Sequence, residues 1–238
     1  MGDFMSTKKK LFLAIGFIIL DIILVVTFIS FHDATMLNNL KKEVNALSKL
    51  DVTKDRYNRK IVTSGDYAVV EKAIKSYLDD YAVLLQDTFT VVNDERLKNI
   101  LTYDNYSNDG PDFVKSLEYL NDGKKKFNES VDLLLLDLEE DTINNYINEK
   151  TDKQYFIDLY RTLMLDDDMK DSFEETKKLL TVSKTKMNNV YDTSIAVLTF
   201  LTTNKDYWKL EDGQIKFLDV NLYNQYIEMI GKLNVNAQ

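Results

Sequence analysis

Cysteine is absent from this 238-residue chain, and histidine occurs only once, as His32. Without cysteine there can be no disulfide, no zinc–thiolate site and no cysteine-linked lipid. A single histidine next to an apolar run cannot supply a catalytic triad, a di-metal site or a zinc-protease motif within a folded domain. The phosphate-binding patterns GxxxxGK and GxGxxG are also missing. These absences predict a protein that has no cofactor and no metal and is not an enzyme.

Proline and glycine are scarce as well, with one proline and seven glycines in the whole chain. These two residues are the ones that most often interrupt helices, so their scarcity favours an all-α fold. Apolar residues make up 45% of the sequence. That fraction is sufficient for one sizeable domain together with a membrane anchor.

The longest apolar run is residues 11–31, LFLAIGFIILDIILVVTFISF. As a helix it would be about 31 Å long, which matches a hydrocarbon core of ~30 Å. Lys8, Lys9 and Lys10 come directly before it, and the positive-inside rule then places residues 1–10 in the cytoplasm. The sequence therefore predicts a single-pass protein of the cell membrane with an extracellular C-terminal domain.

A cleaved signal peptide is the alternative interpretation of this run. Its apolar region would be roughly 7 to 15 residues long and would end in a small-x-small cleavage site. Here the run is longer and ends in SFHDA. An uncleaved transmembrane anchor is therefore the favoured prediction.

Asp21 lies in the middle of the predicted anchor. A central Asp costs ~2.5 to 3.5 kcal/mol, but Leu, Ile, Phe and Val each return ~0.3 to 0.6 kcal/mol and dominate the run, so insertion remains favourable. A polar group in lipid is best satisfied by a partner helix, although a local water defect is the alternative. The helical face around this acid is the predicted contact stripe for a membrane partner or a second copy: Ala14, Phe17, Ile18, Asp21, Leu24, Val25 and Phe28.

The chain outside the predicted anchor is strongly acidic, since the formal net charge of the whole chain is −9 and the first 32 residues hold only five charged side chains, Asp3, Lys8, Lys9, Lys10 and Asp21. Such a domain is not expected to bind nucleic acid. One small basic cluster, between Lys54 and Lys60, is better explained as a solvated linker.

Residues 32–62 are predicted to form a stalk and linker. Apolar residues follow the a/d spacing of a coiled helix for barely two heptads, at Leu37, Leu40, Val44 and Leu47. This is too short to establish an independent coiled coil. Dimerisation and packing against the same chain both remain open at this stage.

Residues 63–238 are predicted to form an extracellular up-and-down helical bundle. The first long helix should begin at residues 64–66, with Asp66 as its N-cap, and carry an apolar stripe from Val70 to Val91 or Val92. The stretch YDNYSNDGPD should be a loop, and the second long helix should begin at Pro111 and carry an apolar stripe from Phe113 to Leu138. Two shorter helices are expected around residues 143–147 and 155–165. A last long helix should carry apolar residues from Met169 to Leu201.

The pattern changes at YWKLEDGQIKFLD, where Asp212 and Gly213 predict a hairpin at about residues 207–218. A two-residue turn there pairs Leu210 with Ile215 and Trp208 with Phe217 on one face. A lone hairpin is marginally stable, so it must pack on the helices. Trp208 is interpreted as a plug against them or, alternatively, as an exposed recognition residue. A short amphipathic helix should follow and end near Gly231.

Two acidic stretches resemble metal loops. Residues 105–110 match the opening of a calcium loop, but its twelfth position is Ser116 instead of Glu, so no calcium site is predicted. The acids at residues 139–141 and 166–168 are better explained as favourable charges at helix N-termini. The abundant tyrosines and phenylalanines are assigned to the core.

Three lysines, one anchor, a leucine-spaced stalk, a helical outer domain and the WKLEDGQIKF hairpin together resemble uncharacterised single-pass helical surface proteins of low-GC Gram-positive bacteria. The resemblance implies a cell-envelope location. The sequence predicts a membrane-anchored, non-enzymatic interaction protein whose outer domain binds a protein or peptide and whose anchor and stalk pair with a partner or with themselves. A sensory or ligand-binding bundle and an accessory protein of the septum or of a secretion machine are the alternatives.

Overall fold

The computed structural model describes residues 31–47 and 60–236, which form α-helices joined by short connections and one two-stranded hairpin. This confirms a mostly helical fold with a small C-terminal hairpin and a following helix. In chain order the elements are α1 (Phe31–Leu47), α2 (Gly65–Val92), α3 (Glu95–Lys98), α4 (Tyr103–Asp109), α5 (Val114–Asp137), α6 (Glu140–Asn148), α7 (Gln154–Met164), α8 (Asp167–Thr203), a 3₁₀ turn (Lys205–Tyr207), β1 (Trp208–Glu211), β2 (Gln214–Phe217) and α9 (Val220–Asn236).

Within these two ranges, no helix is both long enough and apolar enough to cross a membrane. The predicted anchor at residues 11–31 lies outside them, apart from Phe31 at the start of α1. The anchor therefore stays a prediction from the sequence.

The described residues divide into two compact units. The α1 unit comprises residues 31–47, 60–86 and 132–180. The hairpin unit comprises residues 87–131 and 181–236. Helices α2, α5 and α8 each contribute residues to both units.

The long helices bury the apolar stripes that the sequence predicted. Along α2 the three-four spacing of the stripe places Val70, Ile74 and Tyr77 in the core, and α5 does the same with Leu120, Phe127 and others. Because a helix repeats every 3.6 residues, this spacing keeps the apolar side chains on one face. The one lysine in the α5 stripe, Lys124, lies at its edge and binds Asp192 at 2.6 Å.

Helix α1 packs its apolar face within the same chain. Leu37, Leu40, Val44 and Leu47 are each at most 5% exposed. Of the two alternatives for the predicted stalk, packing against the chain's own domain is the one that the structure contains. These four side chains are therefore buried core residues of the α1 unit.

The start of α5 differs from the prediction. Pro111 is not the first helical residue, because α5 begins at Val114. Phe113 has a φ of +50°, which stops the helix from extending backward, and its ring is completely buried. Tertiary packing of this ring thus overrides the local preference for proline at a helix start.

Three further features also differ from the prediction. The loop-like stretch YDNYSNDGPD contains helix α4, whose buried Tyr106 fixes it to the hairpin unit. Helix α9 does not end near Gly231 but continues to Asn236. At the start of α2, Asp66 lies inside the first turn, one residue after Gly65, and its carboxylate binds Lys153 at 2.7 Å.

Candidate interaction surface

The hairpin forms in the predicted register. Trp208 is opposite Phe217, Leu210 is opposite Ile215, and Asp212 and Gly213 both have positive φ in the turn. Positive φ at both central residues is what a type I′ turn requires, and Asp-Gly meets that requirement well.

Trp208 packs between the hairpin and the helices, as the first of its two interpretations predicted. Its ring stacks on Phe113 with 6.1 Å between centroids, and its Nε1 donates a hydrogen bond to the carbonyl oxygen of Leu201 at 2.7 Å. Phe113 in turn meets Tyr106 edge-on at 5.6 Å. Aromatic packing of this kind adds to the stabilisation that burial provides.

Helix α9 is fixed to the hairpin by the same group of rings. The ring of Tyr226 lies 5.3 Å from that of Phe217 on β2, and the Tyr226 hydroxyl is 3.1 Å from the Tyr106 hydroxyl. Phe200 on α8 lies 6.4 Å from Phe217. We call these side chains the aromatic cluster: Tyr106, Phe113, Phe200, Trp208, Phe217 and Tyr226.

The first turn of α9 is held by a side-chain cap. The Asp219 carboxylate accepts hydrogen bonds from the backbone N–H of Asn221 at 2.7 Å and of Leu222 at 3.4 Å. Such a cap satisfies amide groups that have no partner within the helix and fixes where the helix starts. The cap therefore fixes the residue at which α9 begins.

The outward face of α9 carries apolar side chains that are separate from its buried face, on which Tyr226 lies. Val220, Tyr223 and Ile227 are 68%, 45% and 46% exposed and follow helical spacing. Leu218 and Tyr207 are 70% and 54% exposed, and the Leu218 N–H donates to the Tyr207 carbonyl at 2.8 Å. We call these five residues the C-terminal apolar surface. An apolar set of this kind on neighbouring elements marks an interaction site more often than a single exposed leucine does.

Acidic and basic residues both flank this surface in the sequence: Asp206, Asp219, Glu228, Lys205, Lys209 and Lys216. The lysines are paired, since Lys205 binds Asp112 at 3.1 Å and both Lys209 and Lys216 bind Glu211, and Glu228 is paired with Lys232. Asp206 and Asp219 form no salt bridge with any residue that the structure describes. The surface is thus apolar at its centre, with a small excess of negative charge at its rim.

Replacing Trp208 with phenylalanine should lower the free energy of unfolding by ~1 to 2 kcal/mol, because the stacked ring is kept but the Leu201 carbonyl loses its donor. Chemical denaturation followed by circular dichroism measures this change. Tyr207→Phe is the matched control, since Tyr207 is exposed and should change stability very little. Equal stabilities for the two variants would contradict the proposed role of the indole N–H.

A buried ion network holds α1 to α2. Lys75 Nζ lies 2.6 Å from Glu43 Oε1 and 2.7 Å from Glu71 Oε1, and it also donates to the carbonyl oxygen of Lys60 at 2.8 Å. Glu71, which is 1% exposed, accepts further hydrogen bonds from the backbone and hydroxyl of Thr63. The two carboxylates share one ammonium group, and the hydrogen bonds from Thr63 supply the further stabilisation that burial of Glu71 requires.

The pKa of Glu71 follows from the same contacts. Burial alone would raise it, but hydrogen bonds from Lys75, Thr63 and the Val62 N–H outweigh burial and hold the pKa below its ordinary value of 4.5. Glu71 is therefore charged at neutral pH, and the network is intact there.

The contact stripe predicted around Asp21 and the topology lysines Lys8 to Lys10 lie outside the described residues. In the acidic stretch that resembles a calcium loop, the Asn105 side chain and the Asp109 carboxylate make hydrogen bonds with Ser116. Asp166 caps α8 by accepting from the Met169 N–H at 2.8 Å. Among the residues that the structure describes, no three Asp, Glu or His side chains are grouped so as to hold a metal ion.

The C-terminal apolar surface and the ion network were not predicted, although both leave a signal in the sequence. Three of the five surface residues, Val220, Tyr223 and Ile227, form a three-four series on α9. The network contains a Glu-x-x-x-Lys pair, Glu71 and Lys75, within an apolar stretch of α2.

Comparison of the chain with protein-family models, with curated proteins and with solved structures finds no match.

Proposed function

We propose that this chain is a membrane-anchored, non-enzymatic interaction protein of the cell envelope, and that its helical domain binds a protein partner through the C-terminal apolar surface. The observation that carries the proposal is the exposure of five large apolar side chains next to elements that the aromatic cluster joins. A rigid surface loses little conformational entropy on binding, which favours recognition.

The chemistry of the surface indicates the kind of partner. A surface with an apolar centre and acidic rim complements a segment that presents apolar side chains flanked by lysine or arginine. The spacing of Val220, Tyr223 and Ile227 matches the spacing on one face of a helix. We therefore propose an amphipathic helix with a basic polar face as the partner.

The predicted anchor gives this domain its location, and the ion network gives it a connection to the anchor. Helix α1 follows the predicted span directly, and Glu43 on α1 binds Lys75 on α2. A rigid connection of this kind would transmit a displacement of the anchor to the domain. The anchor itself is supported by the apolar run and by the preceding lysines in the sequence.

Binding can be measured with two synthetic helical peptides that share one apolar stripe and contain no tryptophan. One peptide carries lysine on its polar face and the other carries glutamate. Trp208 is the only tryptophan of the chain, so its fluorescence reports on the hairpin directly. With the full chain in lipid nanodiscs, the lysine peptide should bind and the glutamate peptide should bind at least about tenfold more weakly.

Ile227→Glu should weaken binding of the lysine peptide by about tenfold or more, because it places a charge within the apolar centre. Val182→Glu is the matched control, since Val182 is a 54% exposed apolar residue on α8 and is not part of the surface. Binding that is unaffected by Ile227→Glu, or no binding of either peptide, would contradict the docking proposal.

The membrane part of the proposal has its own test. A tag at the C-terminus should react with a membrane-impermeant label in intact cells, and the chain should remain with the membrane fraction. A tag that is protected from the label would contradict the proposed topology.

A further inference from the structure

We propose that Asp137 and Asp80 form a proton-operated switch that controls how tightly α6 and α7 are held against α2. This goes beyond the proposed binding function, because it lies in the α1 unit and uses none of the C-terminal apolar surface. It rests on a buried carboxyl group that the fold leaves incompletely satisfied.

Asp137 is the last residue of α5 and is 6% exposed. Its Oδ2 atom has no hydrogen-bond partner. Burial without a partner is costly for a charged carboxylate and much less costly for a neutral carboxyl. The position adds to this cost, since the carbonyl groups at a helix C-terminus disfavour a negative charge.

Asp80, an exposed residue on α2, brings a second carboxylate to the same place. Its Oδ2 accepts a hydrogen bond from the Tyr146 hydroxyl on α6 at 2.8 Å. Tyr146 also meets the ring of Tyr77 on α2 edge-on at 5.4 Å. The hydrogen bond between α6 and α2 thus involves Asp80, whose charge also raises the pKa of Asp137.

Helix α7 is joined to α6 by a hydrogen bond between two buried residues. The Tyr160 hydroxyl on α7 donates to the carbonyl oxygen of Ile143 on α6 at 3.0 Å. Tyr160 is completely buried, and Ile143 is too. The two helices should therefore move as one when α6 loses contact with α2.

Helices α2, α6, α7 and α8 contribute titratable groups near Asp137. Burial raises the pKa of Tyr77, Tyr146 and Tyr160 above their ordinary value, so these tyrosines are neutral. The lysines that α8 contributes near the α5–α6 junction bind other acids, with Lys177 2.9 Å from Glu139 and Lys170 3.2 Å from Glu140.

These surroundings shift the pKa of Asp137. Burial, and after it the charge of Asp80, raise the pKa of Asp137 from 3.8 to about 7. Below this pH the carboxyl is neutral and its burial is tolerated. Above it the carboxylate needs water, which local separation of α6 and α7 from α2 would admit.

Hydrogen exchange of the full chain in nanodiscs, followed by mass spectrometry at about pH 5.5 and about pH 8, tests the switch. After correction for the intrinsic exchange rate, wild-type peptides from residues 132–164 should lose protection at least about tenfold at the higher pH. In Asp137→Asn the same peptides should be equally protected at both pH values. Asp122→Asn removes an exposed acid from α5 and should behave as wild type.

Asp80→Asn provides a test that leaves Asp137 in place. Asparagine can still accept from Tyr146, but the repelling charge is gone, so the midpoint of the protection change should move to lower pH. Equal wild-type protection at both pH values would overturn the switch. Protection that still depends on pH in Asp137→Asn would overturn the role assigned to Asp137. An unchanged midpoint of the protection change in Asp80→Asn would overturn the role assigned to Asp80.

Discussion

Asp137→Asn is expected to raise the free energy of unfolding by up to ~4 kcal/mol at about pH 8 and by little at about pH 4. The reason is the difference between the pKa of Asp137 in the folded chain, about 7, and its ordinary value of 3.8. Between these values the folded state binds more protons than the unfolded state, so stability falls as the pH rises. Above about pH 7 the loss is complete.

Asparagine has nearly the same shape and no charge, so the variant removes this pH-dependent loss. Chemical denaturation at a series of pH values, followed by circular dichroism, measures the effect. The exposed Asp122 is again the control, since its replacement by asparagine should change stability very little at any pH. A gain from Asp137→Asn that is the same at pH 4 and pH 8 would show that burial does not raise the pKa of this group.

Lys75→Met is expected to lower the free energy of unfolding by ~3 to 5 kcal/mol at neutral pH. The methionine fills the space of the lysine stem but leaves the charges of Glu71 and Glu43 without their shared cation. Glu71 is 1% exposed, so water cannot compensate for the loss. Lys72→Met, an exposed lysine on the same helix, should have an effect close to zero.

A second substitution shows whether the unpaired charge is the cause. Adding Glu71→Gln to Lys75→Met should recover part of the lost stability, because glutamine keeps an acceptor for Thr63 and has no charge. If the double variant were less stable than Lys75→Met alone, the cost would come from lost packing. The network should also weaken in acid, since the lowered pKa of Glu71 gives stability that is present above about pH 4.5 and lost as the pH falls through the lowered value.

Burial within a helix depends on spacing, and spacing is visible in the sequence. The apolar stripes of α2, α5 and α8 were predicted correctly, because periodicity alone decides which face of a helix avoids water. The hairpin register was predicted to the residue, since Asp-Gly fixes a two-residue turn and the turn fixes the pairing. The boundary at Pro111 was wrong because Phe113 packs into the core with a positive φ, which periodicity cannot show. The predicted end near Gly231 was wrong because α9 continues through this glycine to Asn236.

The sequence by itself determined a helical protein without cysteine chemistry, with an acidic segment after residue 32, a C-terminal hairpin and an apolar run of membrane-spanning length. These follow from composition, periodicity and turn chemistry, which act over a few residues. Only the tertiary structure decided that Asp137 is buried without a full set of partners, that Lys75 joins Glu43 and Glu71, and that Val220, Tyr223 and Ile227 remain exposed. Each of these depends on which helices come together, and residues far apart in sequence meet only when the chain is folded.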